Sequence, residues 1–501
     1  MLKKLRQSLA AVSIIMVTLL FLDFTGTVHA WFGWMAKIQF LPALLALNLG
    51  VIVALVALTL LLGRVYCSVI CPLGIMQDGF AWVGKKAKKN RYSYSPAKNI
   101  LRYVMLVIMA IAIIAGIGSV VALLAPYSAY GRIVQSILAP VWAFFNNLLA
   151  SWAEKEGSYS FYTIDIWLKS GITLGVAILT LVALGILAWR NGRTYCNTVC
   201  PVGTVLGLLS RFSLFRPVID TSKCNGCGLC ARNCKSACID SKSHKIDYSR
   251  CVTCMDCLSK CNKGAISYAF SPKANMKAGN EAIAADTDSK NVDNGRRQFL
   301  TAGVAIATAA AATAQEKVVD GGLAVIEDKK IPHRKTRIVP PGAQSIRNLT
   351  THCTACQLCV SVCPNGVLRP SSDVLTLMQP ESSYERGYCR PECTKCSNVC
   401  PTGAILPISV ADKSSIQIGH AVWVKENCVP VTDGVECGNC ARHCPAGAIL
   451  MVPSVAGDDS SPKIPVVNTE RCIGCGACEN LCPSRPFSAI YVEGHERHRV
   501  I

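Results

Sequence analysis

At 501 residues the chain is too long for one ordinary domain, and its length suits about three. Hydrophobic residues make up 51% of it, with the excess almost wholly before residue 190, which argues against a wholly soluble chain and puts a membrane domain first. A net charge of +20 would point to nucleic acid on a soluble protein, but many Lys and Arg flank apolar runs, so membrane topology explains them and no nucleic-acid partner is expected.

Lys3, Lys4 and Arg6 precede an apolar run over residues 9–28, followed by further runs over 40–62, 100–124 and 166–188. Each approaches the ~20 residues that cross a bilayer core. One run alone would also read as a signal peptide, but the three that follow favour an anchor. The expectation is a four-helix transmembrane domain over residues 1–205, multi-pass in a bacterial inner (cytoplasmic) membrane. Lys85, Lys86, Lys88, Lys89 and Arg91 follow the second run and assign that side to the cytoplasm. The stretch 125–165, rich in Trp, Tyr and Phe, reads as an outer loop lying along the membrane interface. Asp23 falls inside the first run and His29 at its outer end. Intramembrane ionisable groups are functional candidates, the alternative being polar groups paired within the bundle.

The membrane part repeats itself. Gly63-Arg64-Val65-Tyr66-Cys67-Ser68-Val69-Ile70-Cys71-Pro72-Leu73-Gly74 matches Gly192-Arg193-Thr194-Tyr195-Cys196-Asn197-Thr198-Val199-Cys200-Pro201-Val202-Gly203. Cysteines four apart share a helix face, so two pseudo-symmetric copies could bring Cys67, Cys71, Cys196 and Cys200 together as an additional metal or redox centre. Packing of helix ends by small buried thiols is the alternative. It does not require Arg, Tyr, Pro and Gly at matched offsets.

Residues 206–270 hold Cys224, Cys227, Cys230, Cys234 and then Cys251, Cys254, Cys257, Cys261. Each is Cys-x2-Cys-x2-Cys-x3-Cys, in which three thiolates ligate one 4Fe-4S cube and the fourth reaches its neighbour. One cluster would take Cys224, Cys227, Cys230 and Cys261, and the other Cys251, Cys254, Cys257 and Cys234. Zinc usually collects two separated pairs, and disulfide frameworks belong to small secreted domains; neither fits. Cys238 aligns with Ala265 and reads as a packing residue.

Residues 271–334 read as a linker containing a twin-arginine stretch, Arg296-Arg297-Gln298-Phe299-Leu300, and an Ala-rich run. This looks like an internal Tat-type export signal, or else an Ala-rich cytoplasmic helix. Over 335–501 the tetrad returns as Cys353, Cys356, Cys359, Cys363; Cys389, Cys393, Cys396, Cys400; Cys428, Cys437, Cys440, Cys444; and Cys472, Cys475, Cys478, Cys482. Neighbour-with-neighbour and outer-with-inner exchange of fourth cysteines are both open. The expected fold class is multidomain: the four-helix membrane part plus α+β dicluster-ferredoxin-like domains, one with two clusters and one with four.

The spans, the two GRxYCxxxCPxG motifs and the dicluster run resemble the NapH-type membrane quinol dehydrogenase ferredoxin of periplasmic nitrate reductase systems, and residues 335–501 resemble its NapG-type exported four-cluster partner. The six tetrads read as ligands of six 4Fe-4S clusters, and Asp23 or His29, by their place in the first run, as quinol proton acceptors; the resemblance implies menaquinol as the substrate, drawn from the membrane quinol pool. It further implies a cytoplasmic segment 206–270, a periplasmic segment 335–501, and a periplasmic reductase or cytochrome c partner. A different reading makes the chain an assembly or regulatory protein whose Cys-x3-Cys-Pro thiols handle copper or sense redox state.

Overall fold

The computed structural model describes residues 2–23, 25–87, 92–158, 161–271, 319–320, 324–325 and 327–501. The twin-arginine stretch and Lys88, Lys89 and Arg91 lie outside them.

Helix α1 (Leu2–Leu22) buries Ala10, Val17, Leu20 and Phe21 along one stripe and leaves Leu5, Leu9, Val12, Ile15 and Leu19 exposed, as suits a helix with one face on protein and the other on lipid. Among the described residues three helices are long and apolar enough to cross a membrane: α1, Pro126–Lys155 and Gly171–Asn191. The sequence suggested four runs, and two of those are broken. Run 40–62 turns at Asn48, whose side chain caps the next helix by accepting from Val51 N. That leaves α2 (Leu49–Leu62) with 14 residues, about 21 Å. Run 100–124 breaks at Gly116, which at φ +70° adopts a left-handed conformation that glycine tolerates best. It ends the helix Asn99–Ala115, here α4 after α3 (Pro72–Lys86).

The stretch expected to be an outer loop, 125–165, is instead mostly α5 (Pro126–Lys155). Its aromatic residues lie on a helical face, with Trp142, Phe145, Leu149 and Trp152 all exposed, while Pro126–Ile133 is wholly buried. Gly131 permits the closest approach, since a Cβ there would stand 2.4 Å from the Cys356 carbonyl oxygen. Helix α6 (Gly171–Asn191) completes the set. The following α7 (Pro201–Ser210) crosses the expected boundary at residue 205.

Two cysteine-rich bodies sit at opposite ends of α1. In the first, β1 (Phe215–Ile219) pairs antiparallel with β2 (Ile266–Phe270), in register from Phe215↔Phe270 to Ile219↔Ile266, closing both cysteine runs between them. It is tied to the helices by Lys3–Asp256 at 2.8 Å, by Tyr268 donating to the Leu62 carbonyl at 2.9 Å, and by the Arg193 amide donating to the Lys235 carbonyl at 2.8 Å. The second body rests on the other end, where Lys395 Nζ donates to the Thr25 carbonyl at 3.5 Å and Arg369 and Arg386 flank the Trp167 ring at 4.4 and 5.0 Å. Its longest pairing is β3 (Ile416–Trp423) with β6 (Ile490–Val500), beside the hairpin β4 (Ile449–Pro453) and β5 (Lys463–Val467). Residues 329 and 330, expected in the linker, are docked on it: Lys329 Nζ donates to the carbonyls of Glu479 and Asn480 at 2.6 Å. The sheets of both bodies are two-stranded, and their buried cores consist largely of cysteines.

Candidate functional site

In the first body one cavity is lined by Cys224, Cys227, Cys230 and Cys261. A second is lined by Cys234, Cys251, Cys254 and Cys257. The antiparallel closure of β1 on β2 folds the two runs head to tail, so the last cysteine of each falls beside the first three of the other. Cys238 also lines the second cavity, with its sulfur 3.5 Å from that of Cys234. A hydrogen bond from Cys238 holds the Cys234 thiol down at about 7 against the effect of burial. Cys238 therefore shares a hydrogen bond with a neighbouring sulfur, as its donor when Cys234 is a thiolate, as well as packing beside it.

In the second body Cys444 joins Cys472, Cys475 and Cys478 around one cavity. Burial pushes the Cys440 thiol up to about 11, with Cys437, Cys482 and Cys428 beside it. The third and fourth tetrads thus exchange their last cysteines. Likewise Cys400 stands with Cys353, Cys356 and Cys359, and Cys363 stands with Cys389, Cys393 and Cys396. The pairing is neighbour with neighbour. Among the described residues no three His, Cys, Asp or Glu side chains close on a point as a single-ion site does; the thiols surround space instead, which fits a polynuclear cube.

The repeated membrane motif forms a third assembly, in which the Gly, Arg, Cys and Pro positions each have a geometric task. Gly63 and Gly192 end α2 and α6 at φ +72° and +68°. Pro72 and Pro201 start α3 and α7 at a position where a missing N–H costs nothing. Between them Cys67, Cys71, Cys196 and Cys200 are all buried and lie within electrostatic reach of one another. Each arginine crosses to the other copy: Arg193 Nη1 donates to the Cys67 carbonyl at 2.6 Å and Arg64 Nη2 to the Cys196 carbonyl at 3.2 Å. Gly74 and Gly203 make room for that crossing, since a Cβ would stand 2.3 Å from the Cys67 carbonyl oxygen or 2.2 Å from that of Cys196. Outside the motif, Gln77 Nε2 donates to Cys196 Sγ at 3.2 Å, a contact with no periodic signal in the sequence.

The three assemblies share one core. A single buried cluster contains Cys67, Cys71 and Cys200 together with Cys356 of the second body, and Cys254 of the first body packs against it. Buried Arg132 stands between Tyr195 and Cys356. Asp23 and His29 are close together but lie away from the motif cysteines along the chain. The Asp23 carboxylate accepts from Thr25 N and Oγ1, Gly26 N and His29 N, and pairs with His29 Nδ1 at 3.0 Å, so it organises the turn after α1. His29 Nε2 is buried without a protein partner among the described residues.

A model of the 4Fe-4S binding domain matches residues 44–91 and 173–219, the segments carrying the membrane motif. Models of the 4Fe-4S dicluster domain match 352–405, which encloses the first exchanging pair of tetrads, and 434–485, which covers the second pair except Cys428. An uncharacterized protein of Methanocaldococcus jannaschii is 38% identical over 22% of this chain and 42% of its own length. The ferredoxin-type protein NapH of Escherichia coli is 26% identical over 44% of this chain and 67% of its own. The methylamine utilization ferredoxin-type protein MauN of Paracoccus denitrificans is 28% identical over 41% of this chain and 57% of its own. The chain thus spans about half the length of the curated relatives it matches, and no solved structure matches it. With their support, the paired tetrads and the apolar helices mark the chain as a membrane-associated iron–sulfur protein that is similar, over less than half of its length, to the NapH-type and MauN-type ferredoxin proteins.

Proposed function

We propose that the protein oxidises menaquinol and relays single electrons to a periplasmic reductase such as nitrate reductase, or to a cytochrome c partner. The observation that carries this reading is the single buried core that holds Val252 of the first body, Cys67, Cys71 and Cys200 of the membrane motif and Cys356 of the second body, with Cys254 packed against it. Low-polarity packing of this kind keeps water from the route and holds its ligands rigid.

Six 4Fe-4S clusters would be held by Cys224, Cys227, Cys230 and Cys261; by Cys251, Cys254, Cys257 and Cys234; by Cys353, Cys356, Cys359 and Cys400; by Cys389, Cys393, Cys396 and Cys363; by Cys428, Cys437, Cys440 and Cys482; and by Cys472, Cys475, Cys478 and Cys444. Such clusters exchange one electron at potentials set by burial and by hydrogen bonds to sulfur. The membrane tetrad would hold an additional redox centre, supported by the description of the domain matched there and by the fully buried Arg64 and Arg193 beside its thiols. We further assign residues 206–270 to the cytoplasmic face and residues 335–501 to the periplasmic face as a NapG-type domain. The separation of the two bodies along α1 supports that assignment.

Membranes carrying the full chain should show menaquinol-dependent bleaching of iron–sulfur absorbance. Iron should reach about 24 atoms per chain on six cubes, and about 28 if the membrane tetrad holds a seventh. No bleaching, together with stoichiometric copper lost in a Cys67/Cys71/Cys196/Cys200 quadruple variant, would favour the assembly or regulatory reading instead. A reporter fused at residue 340 tests the sidedness.

A further inference from the structure

A cleft opens where the second body meets the helices. Its walls come from the end of α1, the middle of α5, the segment 164–170 and the first turn of α6, and its floor is the short helix α8 (Leu358–Ser361). Part of its wall falls in the aromatic-rich stretch 125–165, where a quinol could enter on sequence grounds, but no local pattern marks the cleft itself, because separate segments build it. In α5 the Ala139 amide reaches back five residues to the Val134 carbonyl, a widened turn of a kind often found at functional sites. That turn carries Gln135 into the cleft.

Two of the side chains lining the cleft are buried polar groups without a protein partner. The Thr173 hydroxyl and the Gln357 Nε2 amide make no hydrogen bond among the described residues, and each residue is 2% exposed. An unmet buried donor is costly, so an occupant with oxygen acceptors is called for. Opposite them, with its amide oriented to satisfy both ends, Gln135 donates to the Phe21 carbonyl at 3.3 Å and accepts from Lys169 Nζ at 2.6 Å. Lys169 Nζ also reaches the Val360 carbonyl at 3.4 Å. Val360 is flanked by Cys359, and Gln357 directly follows Cys356, so the floor lies one residue from two cluster cysteines.

The rim has the opposite character. Trp142, on α5, and Ile166 and Leu168, in the irregular segment before α6, line it and are 46%, 43% and 62% exposed, whereas Asp165 offers a carboxylate at the edge. The enclosed space is about 140 Å³. A cavity of about 150 Å³ admits one aromatic ring, so the oxygen-bearing ring fits inside, while the fused second ring of a naphthoquinol and the apolar tail lie toward the open mouth of the cleft.

We propose that this cleft is the headgroup site of an isoprenoid quinol, with Thr173, Gln357, Gln135 and Lys169 hydrogen-bonding the ring oxygens and the tail leaving past Trp142 and Leu168. The inference rests on the quinol reading above and replaces the Asp23–His29 turn as its place. The polar groups select a ligand with two oxygens on a ring, and the lipid-facing mouth selects one that arrives from the bilayer.

The test is photolabelling of the full chain in nanodiscs with an azido-naphthoquinone, with the modified peptides mapped by mass spectrometry. Label within residues 134–143 or 164–174, competed by excess menaquinone, is expected. Thr173→Val and Lys169→Gln should each lower the labelling at least tenfold while leaving the iron content at the wild-type value, which separates loss of the site from loss of the fold. Label at residues 23–29, or label competed by phospholipid and not by menaquinone, overturns the proposal. If labelling behaves as expected but quinol does not bleach the clusters, the site stands and the proposed activity fails. If quinol bleaches the clusters equally in both variants, the activity stands and the site fails.

Discussion

Arg193 donates to the Cys67 carbonyl at 2.6 Å, from one copy of the repeated membrane motif to the other. Arg64 returns the contact to Cys196. Both guanidiniums are 0% exposed, but their counter-charges differ. Arg193 pairs with Asp78 at 2.9 Å, whereas Arg64 bonds the Asn197 side chain and the Ser249 carbonyl and has no ion pair among the described residues. A buried cation without an anion is costly, and the nearest source of negative charge is the thiol tetrad, with Cys67 Sγ 3.8 Å from Arg64.

Arg64→Met therefore reads the charge state of the tetrad. If the four thiols hold an anionic centre, the variant should lose about 3–5 kcal/mol of stability and about four iron atoms per chain, measured by thermal unfolding in detergent and by iron analysis. If the thiols are neutral packing groups, removing an uncompensated charge should leave stability equal or higher. That sign would end the redox-centre reading.

Asp78 is the hub that ties the first body to the helices, meeting Arg6 at 3.0 Å, Arg193 at 2.9 Å and Lys235 at 3.4 Å. Burial alone would raise its carboxyl, but Arg193 and Lys235 beside it outweigh burial and hold it well below the usual range. Its folded-state pKa is depressed, so its contribution is complete above the unfolded value of about 3.9 and is lost as pH falls through the lower folded value. Asp78→Asn should cost about 3–5 kcal/mol at neutral pH. The gap from wild type, followed by unfolding at stepped pH, should stay constant above about pH 5 and narrow only below about pH 4.

Cys238 donates toward Cys234, and a donor to a ligand sulfur favours the more negative reduced cluster. Removing a bond of about 0.5–1.5 kcal/mol should lower the potential of that cluster by about 20–65 mV for one electron. Redox titration of Cys238→Ala monitored by electron paramagnetic resonance checks this. An unchanged set of potentials would return Cys238 to a packing role.

Gly203→Ala tests whether the crossed arginines are needed for assembly. The added Cβ would meet the Cys196 carbonyl oxygen at 2.2 Å and Arg64 Nη2 at 2.9 Å, neither of which can yield without opening the tetrad. Expression in membranes should drop several-fold, and Gly79→Ala, where a Cβ meets nothing within 4 Å, should be tolerated.

The cysteine runs were legible in the sequence because ligand spacing is local: three thiolates within seven residues must wrap one centre whatever surrounds them. The membrane motif was legible for the same reason, as a repeat of twelve residues. The helices were less so. Leu49–Leu62 is shortened by the Asn48 cap, and Pro126–Lys155 was hidden because its Trp, Tyr, Ser and Asn residues lower hydropathy while the helix still presents an apolar face.

What the chain's order of residues determined by itself is the set of tetrads, the repeated motif and the apolar character of the first 190 positions, all properties of neighbours along the backbone. Only the tertiary structure decided that Cys400 joins Cys353 and Cys482 joins Cys428, that two arginines cross between repeats 129 positions apart, and that one buried core holds Val252, Cys67 and Cys356. Those are contacts between distant segments, set by how β1 closes on β2, how α5 enters the bundle at Gly131, and which buried charges find a partner.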